Sequence, residues 1–121
     1  MRVLLSTYGT RGDVEPLVAL AVRLRERGVE VRMCAPPDEE FAQRLAGLGV
    51  RLVPVGPPVR ALMSGTTLPS AADLSRYRAE MLDAQFEIFP AALDGCDALV
   101  AAGLAQIAAR SVAEEIGRAH V

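Results

Sequence analysis

Histidine and cysteine are nearly missing from this chain of 121 residues: there is one His, at position 120, and two Cys, at positions 34 and 96. Without a CxxC pair or clustered His, neither a zinc site nor a disulfide framework is supported, and Cys34 and Cys96 read as small buried apolar residues. Blocks of like charge are absent too. The 13 basic and 15 acidic residues are interleaved and the net charge is −2, which leaves no electrostatic footprint for nucleic acid or an anionic membrane. No long hydrophobic run exists either. The opening Met1–Leu5 gives way to Ser6 and Thr7, far short of a signal-peptide core or of the ~20 residues that a membrane span needs. A cytoplasmic protein with no transmembrane segment is the expectation. No internal repeat or low-complexity tract is found.

What is present suits one compact domain. Apolar residues make up 51% and charged residues 23% of the chain, enough for a core and too apolar for disorder. Single domains commonly run about 100–200 residues, so a second domain does not fit in this length. Val3–Ser6 is a short apolar run that suits a buried strand. From Glu15 to Arg27 the residues Leu17, Leu20, Ala21 and Leu24 repeat at helical spacing, and Gly28 closes that helix. Val29–Cys34 alternates as a second strand and breaks at Ala35-Pro36-Pro37. Asp38 caps a helix through Leu48, with Phe41, Leu45 and Leu48 as its buried stripe and Gly49 as its stop. Val50–Val55 reads as a third strand.

Gly56–Pro69 is a Gly, Pro, Ser and Thr loop longer than the usual connection, the kind that carries function. A long helix follows from Ser70 or Asp73 to about Phe89, built on Leu74, Tyr77, Met81, Leu82 and Phe86, with Pro90 bending or interrupting it. Ala98–Ala102 is a fourth strand, and a further helix runs from Leu104 to about Glu115 with Ile107, Ala108 and Val112 inward. Strands separated by helices demand a parallel sheet covered on both faces, the doubly wound α/β class. Ligands on such sheets lie beyond the carboxyl ends of the strands.

The turn after the first strand, Ser6-Thr7-Tyr8-Gly9-Thr10-Arg11-Gly12-Asp13-Val14-Glu15-Pro16, concentrates glycine, hydroxyl, cation and carboxylate. Gly9 and Gly12 allow positive φ and close approach of another molecule, and free N–H groups at a helix start favour an anion such as phosphate. The spacing is neither Gly-x-Gly-x-x-Gly nor a Walker loop, so a self-sufficient dinucleotide or nucleoside-triphosphate site is not supported. Asp13 has two readings: the N-cap of the following helix, with Pro16 tolerated in the first turn, or a general base that takes a proton from an attacking hydroxyl. Glu15 reads as a surface acid that complements the helix dipole, and Arg11 as either a solvated side chain or a phosphate contact.

The run Arg2–Ala21, followed by Val31-Arg32-Met33-Cys34-Ala35-Pro36-Pro37-Asp38, resembles the amino-terminal, acceptor-side domain of the glycosyltransferases that decorate vancomycin- and teicoplanin-type glycopeptides. Its Gly-Thr-Arg-Gly-Asp-Val core is shared with sterol and other lipid glucosyltransferases, of glycosyltransferase family 28. The likeness reaches from the first residue to about Glu115. It implies one Rossmann-like half of a truncated GT-B fold, with residues 1–115 as an incomplete acceptor domain and the donor-binding C-terminal domain absent. It further implies inverting, metal-independent transfer of a hexosyl group from a UDP- or dTDP-hexose, a co-substrate rather than a resident cofactor, to a small-molecule hydroxyl acceptor. By that resemblance Asp13 is the base, Gly9, Thr10, Arg11 and Gly12 approach the donor pyrophosphate, and Leu62, Met63, Met81 and Phe86 are candidate acceptor contacts. Met81 and Phe86 are also candidates for core packing. A fragment of this kind is expected to be inactive by itself. The competing reading is a non-catalytic Rossmann-like module that binds a nucleotide or a partner.

The likeness fails where the family continues Gly-Ile-Pro and this chain reads Ile116-Gly117-Arg118-Ala119-His120-Val121. That hexapeptide is the translation of the opening of a common sequencing adapter, which makes residues 116–121 a candidate non-native tail. On that reading His120 carries no function, and the codons themselves decide it.

Overall fold

The computed structural model describes residues 1–60, 70–103 and 105–121. Five strands form one parallel sheet: β1 (Arg2–Thr7), β2 (Glu30–Ala35), β3 (Arg51–Pro54), β4 (Ala98–Ala102) and β5 (Ala119–His120), in the order β3-β2-β1-β4-β5. Among the described residues four helices are bounded between them: α1 (Arg11–Glu26), α2 (Glu39–Gly47), α3 (Ala71–Ala92) and α4 (Ala109–Ile116). The doubly wound α/β expectation holds. Register is continuous across the middle, with Leu5 opposite Met33 on one side and Val100 on the other.

Because side chains alternate along a strand, each face of β1 serves a different core. Val3 and Leu5 pack with Val14, Leu17, Val18 and Ala21 of α1 and with Phe41 and Leu45 of α2. Leu4 packs on the other face with Met81 and Phe89 of α3 and with Ala109, Val112 and Ala113 of α4. Burial on both faces is why β1 reads as an unbroken apolar run. Cys34 and Cys96 are buried on the α3/α4 side, and burial pushes the Cys34 thiol up to about 12.

Three helix boundaries differ from the expectation. Helix α1 starts at Arg11, not Glu15, because its cap is Thr10; Asp13 is then its third residue and Pro16 lies in its second turn rather than its first. Helix α3 runs through Pro90 to Ala92. The N–H that Pro90 lacks would have bonded the carbonyl of exposed Phe86, which water can reach, so the interruption is cheap there. Helix α4 starts at Ala109, so Ile107 stands outside it at 50% exposure, whereas Ala108 and Val112 are buried as expected. Both Gly28 and Gly49 close their helices with positive φ, as anticipated.

Pro54 lies within β3, an edge strand, opposite Ala35. At the opposite edge Ala119 and His120 pair with Ala98 and Leu99 of β4. Residues 119–120 of the candidate tail are thus a short strand of the sheet, and the His120 side chain is exposed. Among the described residues no helix is long and apolar enough to cross a membrane.

Candidate active site at the carboxyl rim

The crossovers after β1 and β4 leave for opposite faces of the sheet: α1 packs on one, α4 on the other. Adjacent strands whose connections diverge open a crevice at their carboxyl ends, the place where α/β sheets hold ligands. One side of this crevice is the β1–α1 turn. Thr7, buried at the end of β1, donates its hydroxyl to the Asp13 carbonyl at 3.0 Å and so draws the helix start onto the strand.

At the top of the turn the Asp13 carboxylate accepts the Thr10 backbone N–H on Oδ2 at 3.0 Å, and the Thr10 hydroxyl stands 3.5 Å from the same oxygen. The capping partnership is therefore the reverse of the expected one: Thr10 is the N-cap and Asp13 reaches back to it from the third helical position. Such a contact contributes about 1 kcal/mol to the helix start. The carboxylate remains exposed, as do Thr10, Arg11 and Gly12. Gly9 makes the arrangement feasible. Its φ is +149°, and a Cβ there would lie 2.0 Å from Asp13 Oδ2, so any side chain at position 9 would expel the carboxylate.

Gly12 is different from the expectation, since it is helical and not among the positive-φ glycines. Arg11 makes no ion pair among the described residues, while Glu15 pairs with Arg44 of α2 at 3.2 Å rather than merely facing solvent. The groups at the turn are thus one carboxylate with a fixed Oδ2, one cation, and the N–H groups of a helix start, an arrangement able to take a proton on one side and face an anion on the other.

Beyond the turn stands α3. It runs antiparallel to the strands, its C-terminal end held at the amino rim by Arg32, which donates to the carbonyls of Ala92 at 3.0 Å and Asp94 at 2.7 Å. Its first turns consequently overhang the carboxyl rim. Residues 71–76 are all exposed, including Leu74 at 45%, and contact with the core begins at Tyr77, whose ring centroid is 5.9 Å from that of Tyr8. Met81 is buried in the core, so of its two readings core packing is the one observed. Phe86 shows the opposite outcome: it is 47% exposed. Leu62 and Met63 lie outside the described residues.

Several residues that organise this rim carried no signal as such in the sequence. Tyr8 is buried, and its hydroxyl donates to the Pro57 carbonyl; burial, followed by the neighbouring Tyr77, raises its pKa and keeps it a donor. Asp38 does cap α2 by position, but its carboxylate accepts instead from the N–H groups of Val59 at 2.8 Å and Arg60 at 2.9 Å. Gln85 is fully buried and clamps the β4–α4 connection: its amide donates to the Ala105 carbonyl and its oxygen accepts the Ala108 N–H at 3.0 Å. Ser6 donates to Gln106 of the same connection at 2.6 Å. The spacing Met81, Gln85, Phe89 places Gln85 on the core stripe and was the available clue.

This half-sheet is shared with enzymes of one class. VinC, a glycosyltransferase solved in complex with dTDP, superposes with a TM-score of 0.71 at 23% identity over 99% of this chain and 33% of its own. SsfS6, a Streptomyces glycosyltransferase, does so at 0.69 and 21% identity over 99% of this chain and 38% of its own. At these identities the likeness establishes the fold, one Rossmann-like half of GT-B.

The family follows from sequence: residues 3–118 match the glycosyltransferase family 28 N-terminal domain, and the chain belongs to that family. It is 57% identical over 120 residues to the glycosyltransferase GtfE of Amycolatopsis orientalis and 55% identical over 119 residues to the vancomycin aglycone glucosyltransferase of that organism. The dTDP-epi-vancosaminyltransferase of the same organism is 50% identical over 121 residues. Each match takes in 97% of this chain and 29% of the relative, so the chain spans under a third of the length of these enzymes.

Proposed function

We propose that this chain is the acceptor-side part of an inverting glycosyltransferase that moves a hexosyl group from a UDP- or dTDP-sugar to a hydroxyl of a glycopeptide-like or lipid acceptor, without a metal. The observation that carries this reading is the Asp13 carboxylate, exposed at the carboxyl rim and anchored through one oxygen to the Thr10 N–H in space that only glycine at position 9 leaves free. With Oδ2 engaged, Oδ1 is the proton acceptor. The acceptor hydroxyl loses its proton to Oδ1 as its oxygen attacks the anomeric carbon, and the nucleoside diphosphate leaves from the opposite face of the sugar. Because the proton moves late, an ordinary carboxylate suffices. Thr10, Arg11 and Gly12 face the leaving diphosphate, where a cation and helix N–H groups offset its growing charge. Gly9 acts through Asp13.

A donor domain would complete the diphosphate contacts, so the 121-residue chain by itself is expected to be inactive. The decisive experiment replaces Asp13 by Asn in the full-length enzyme. Asn keeps an oxygen for the Thr10 N–H and loses the base, so kcat should fall about a hundredfold or more with thermal stability nearly unchanged. Turnover equal to that of the parent removes Asp13 as the base.

A further inference from the structure

The corner that holds Asp13 and the segment that leaves β3 are far apart in sequence and joined by one side chain. Tyr8 immediately precedes Gly9, and its ring lies against Gly56 so closely that a Cβ at position 56 would come within 2.9 Å of it. Its hydroxyl bonds the Pro57 carbonyl and its ring lies beside that of Tyr77, tilted by 43°, at the overhang of α3. The far end of the same short segment is tied by Asp38 to the N–H groups of Val59 and Arg60, and its near end by the Val55 N–H to the Ala35 carbonyl at 3.0 Å. Residues 55–60 are thus a stem pinned at three points, of which only the middle one comes from the Asp13 corner.

We infer that Tyr8 is a positioning residue which sets the distance between Asp13 and the other side of the crevice, formed by the stem and the exposed first turns of α3, against which an acceptor would lie. This rests on the proposed role of Asp13. The physical reason is that a base works only within about 2.6–3.2 Å of the hydroxyl it deprotonates. A spacer that fixes the base relative to the wall therefore selects which acceptor hydroxyl comes into reach. Among the described residues the Tyr8 hydroxyl is the polar link between the Asp13 corner and the stem.

The test compares Tyr8→Phe and Asp38→Asn with the full-length enzyme, using the vancomycin aglycone as acceptor and UDP-glucose and dTDP-glucose as donors. Tyr8→Phe deletes only the link to Pro57 and should lower kcat/KM for the acceptor about fivefold, the effect of one lost hydrogen bond, chiefly through kcat because the base is displaced from the hydroxyl, with donor KM unmoved. Asp38→Asn loosens the other end of the stem and should lower the same ratio. Amide exchange at Gly56, Val59 and Arg60 should quicken in both variants. An acceptor kcat/KM equal to that of the parent in both variants, or a donor KM that rises with it, overturns the inference. Asp13→Asn run alongside separates the two ideas: a collapse of kcat there with an unchanged acceptor kcat/KM in Tyr8→Phe defeats the spacer and leaves the base, whereas full turnover in Asp13→Asn defeats the base and with it the spacer.

Discussion

The two faces of the sheet are packed by different means. Under α1 and α2 the buried side chains are Val, Leu, Ala, Met and Phe with a single hydroxyl at the rim, Thr7, which donates to the Asp13 carbonyl, and among the described residues the two helices are tied to each other at the surface, by Glu15 with Arg44 and by Arg25 with the Leu48 carbonyl. Under α3 and α4 a similar apolar cluster is interrupted by polar anchors: the Gln85 amide, the Tyr8 hydroxyl, and Arg32 at the C-terminal end of α3. Apolar packing has no direction and fixes the distance of a helix from the sheet. Hydrogen bonds to a named carbonyl or N–H fix where along the rim a connection sits. The first face is a scaffold, and the second places the segments that meet at the crevice.

That contrast can be broken by experiment. The largest expected effect is on the scaffold face: Leu5→Ala, at a position with no exposure, should cost about 3 kcal/mol of unfolding free energy through lost burial and the cavity left behind. Chemical denaturation measures it, and amide exchange at residues 105–108 should stay as in the parent relative to global unfolding. Gln85→Leu should cost less, about 2 kcal/mol, by stranding the Ala108 N–H and the Ala105 carbonyl, yet it should speed exchange at Ala108 well beyond what the global loss accounts for. If both variants loosen residues 105–108 alike, the two faces do the same job.

The smallest effect near neutral pH is a pH dependence on the α3/α4 side, which grows only in alkali. Burial raises the Cys34 thiol to about 12 in the fold, against about 8.5 in an unfolded chain. Below pH ~8.5 the thiol is neutral in both states and changes nothing. Between the two values only the unfolded chain ionises, so stability falls as pH rises, by about 1.4 kcal/mol per pH unit from this group. Under reducing conditions Cys34→Ala should flatten the alkaline limb of Tm against pH; a limb as steep as that of the parent assigns the loss to other groups.

The same contrast explains what was legible. Strands and the scaffold face follow from hydrophobic periodicity alone, and β4 was bounded to the residue at Ala98–Ala102. The start of α1 was misplaced by four residues because periodicity begins at Leu17, whereas the helix is started earlier by a polar pair, Thr10 and Asp13, that carries no apolar signal. Phe86 and Gln85 exchange the places that hydrophobicity assigns: the aromatic ring is exposed and the amide buried. Gln85 is tolerated inside only because the folded β4–α4 connection presents both a donor and an acceptor to it, and those partners, about 20 residues away, are not visible in a local pattern. At the site, the position of Asp13 was readable from its glycine-rich turn. Tyr8 and the actual partners of Asp38 were not, since each depends on where residues 57–60 return in space.

Pro54 has a consequence for assembly. The Val55 N–H turns inward to Ala35, so the amide of the preceding residue is the one that would face outward from β3, and proline supplies none. A neighbouring chain that tried to dock along that border would find a missing rung within a strand of four residues. Lateral growth on this flank is discouraged by a single imino acid.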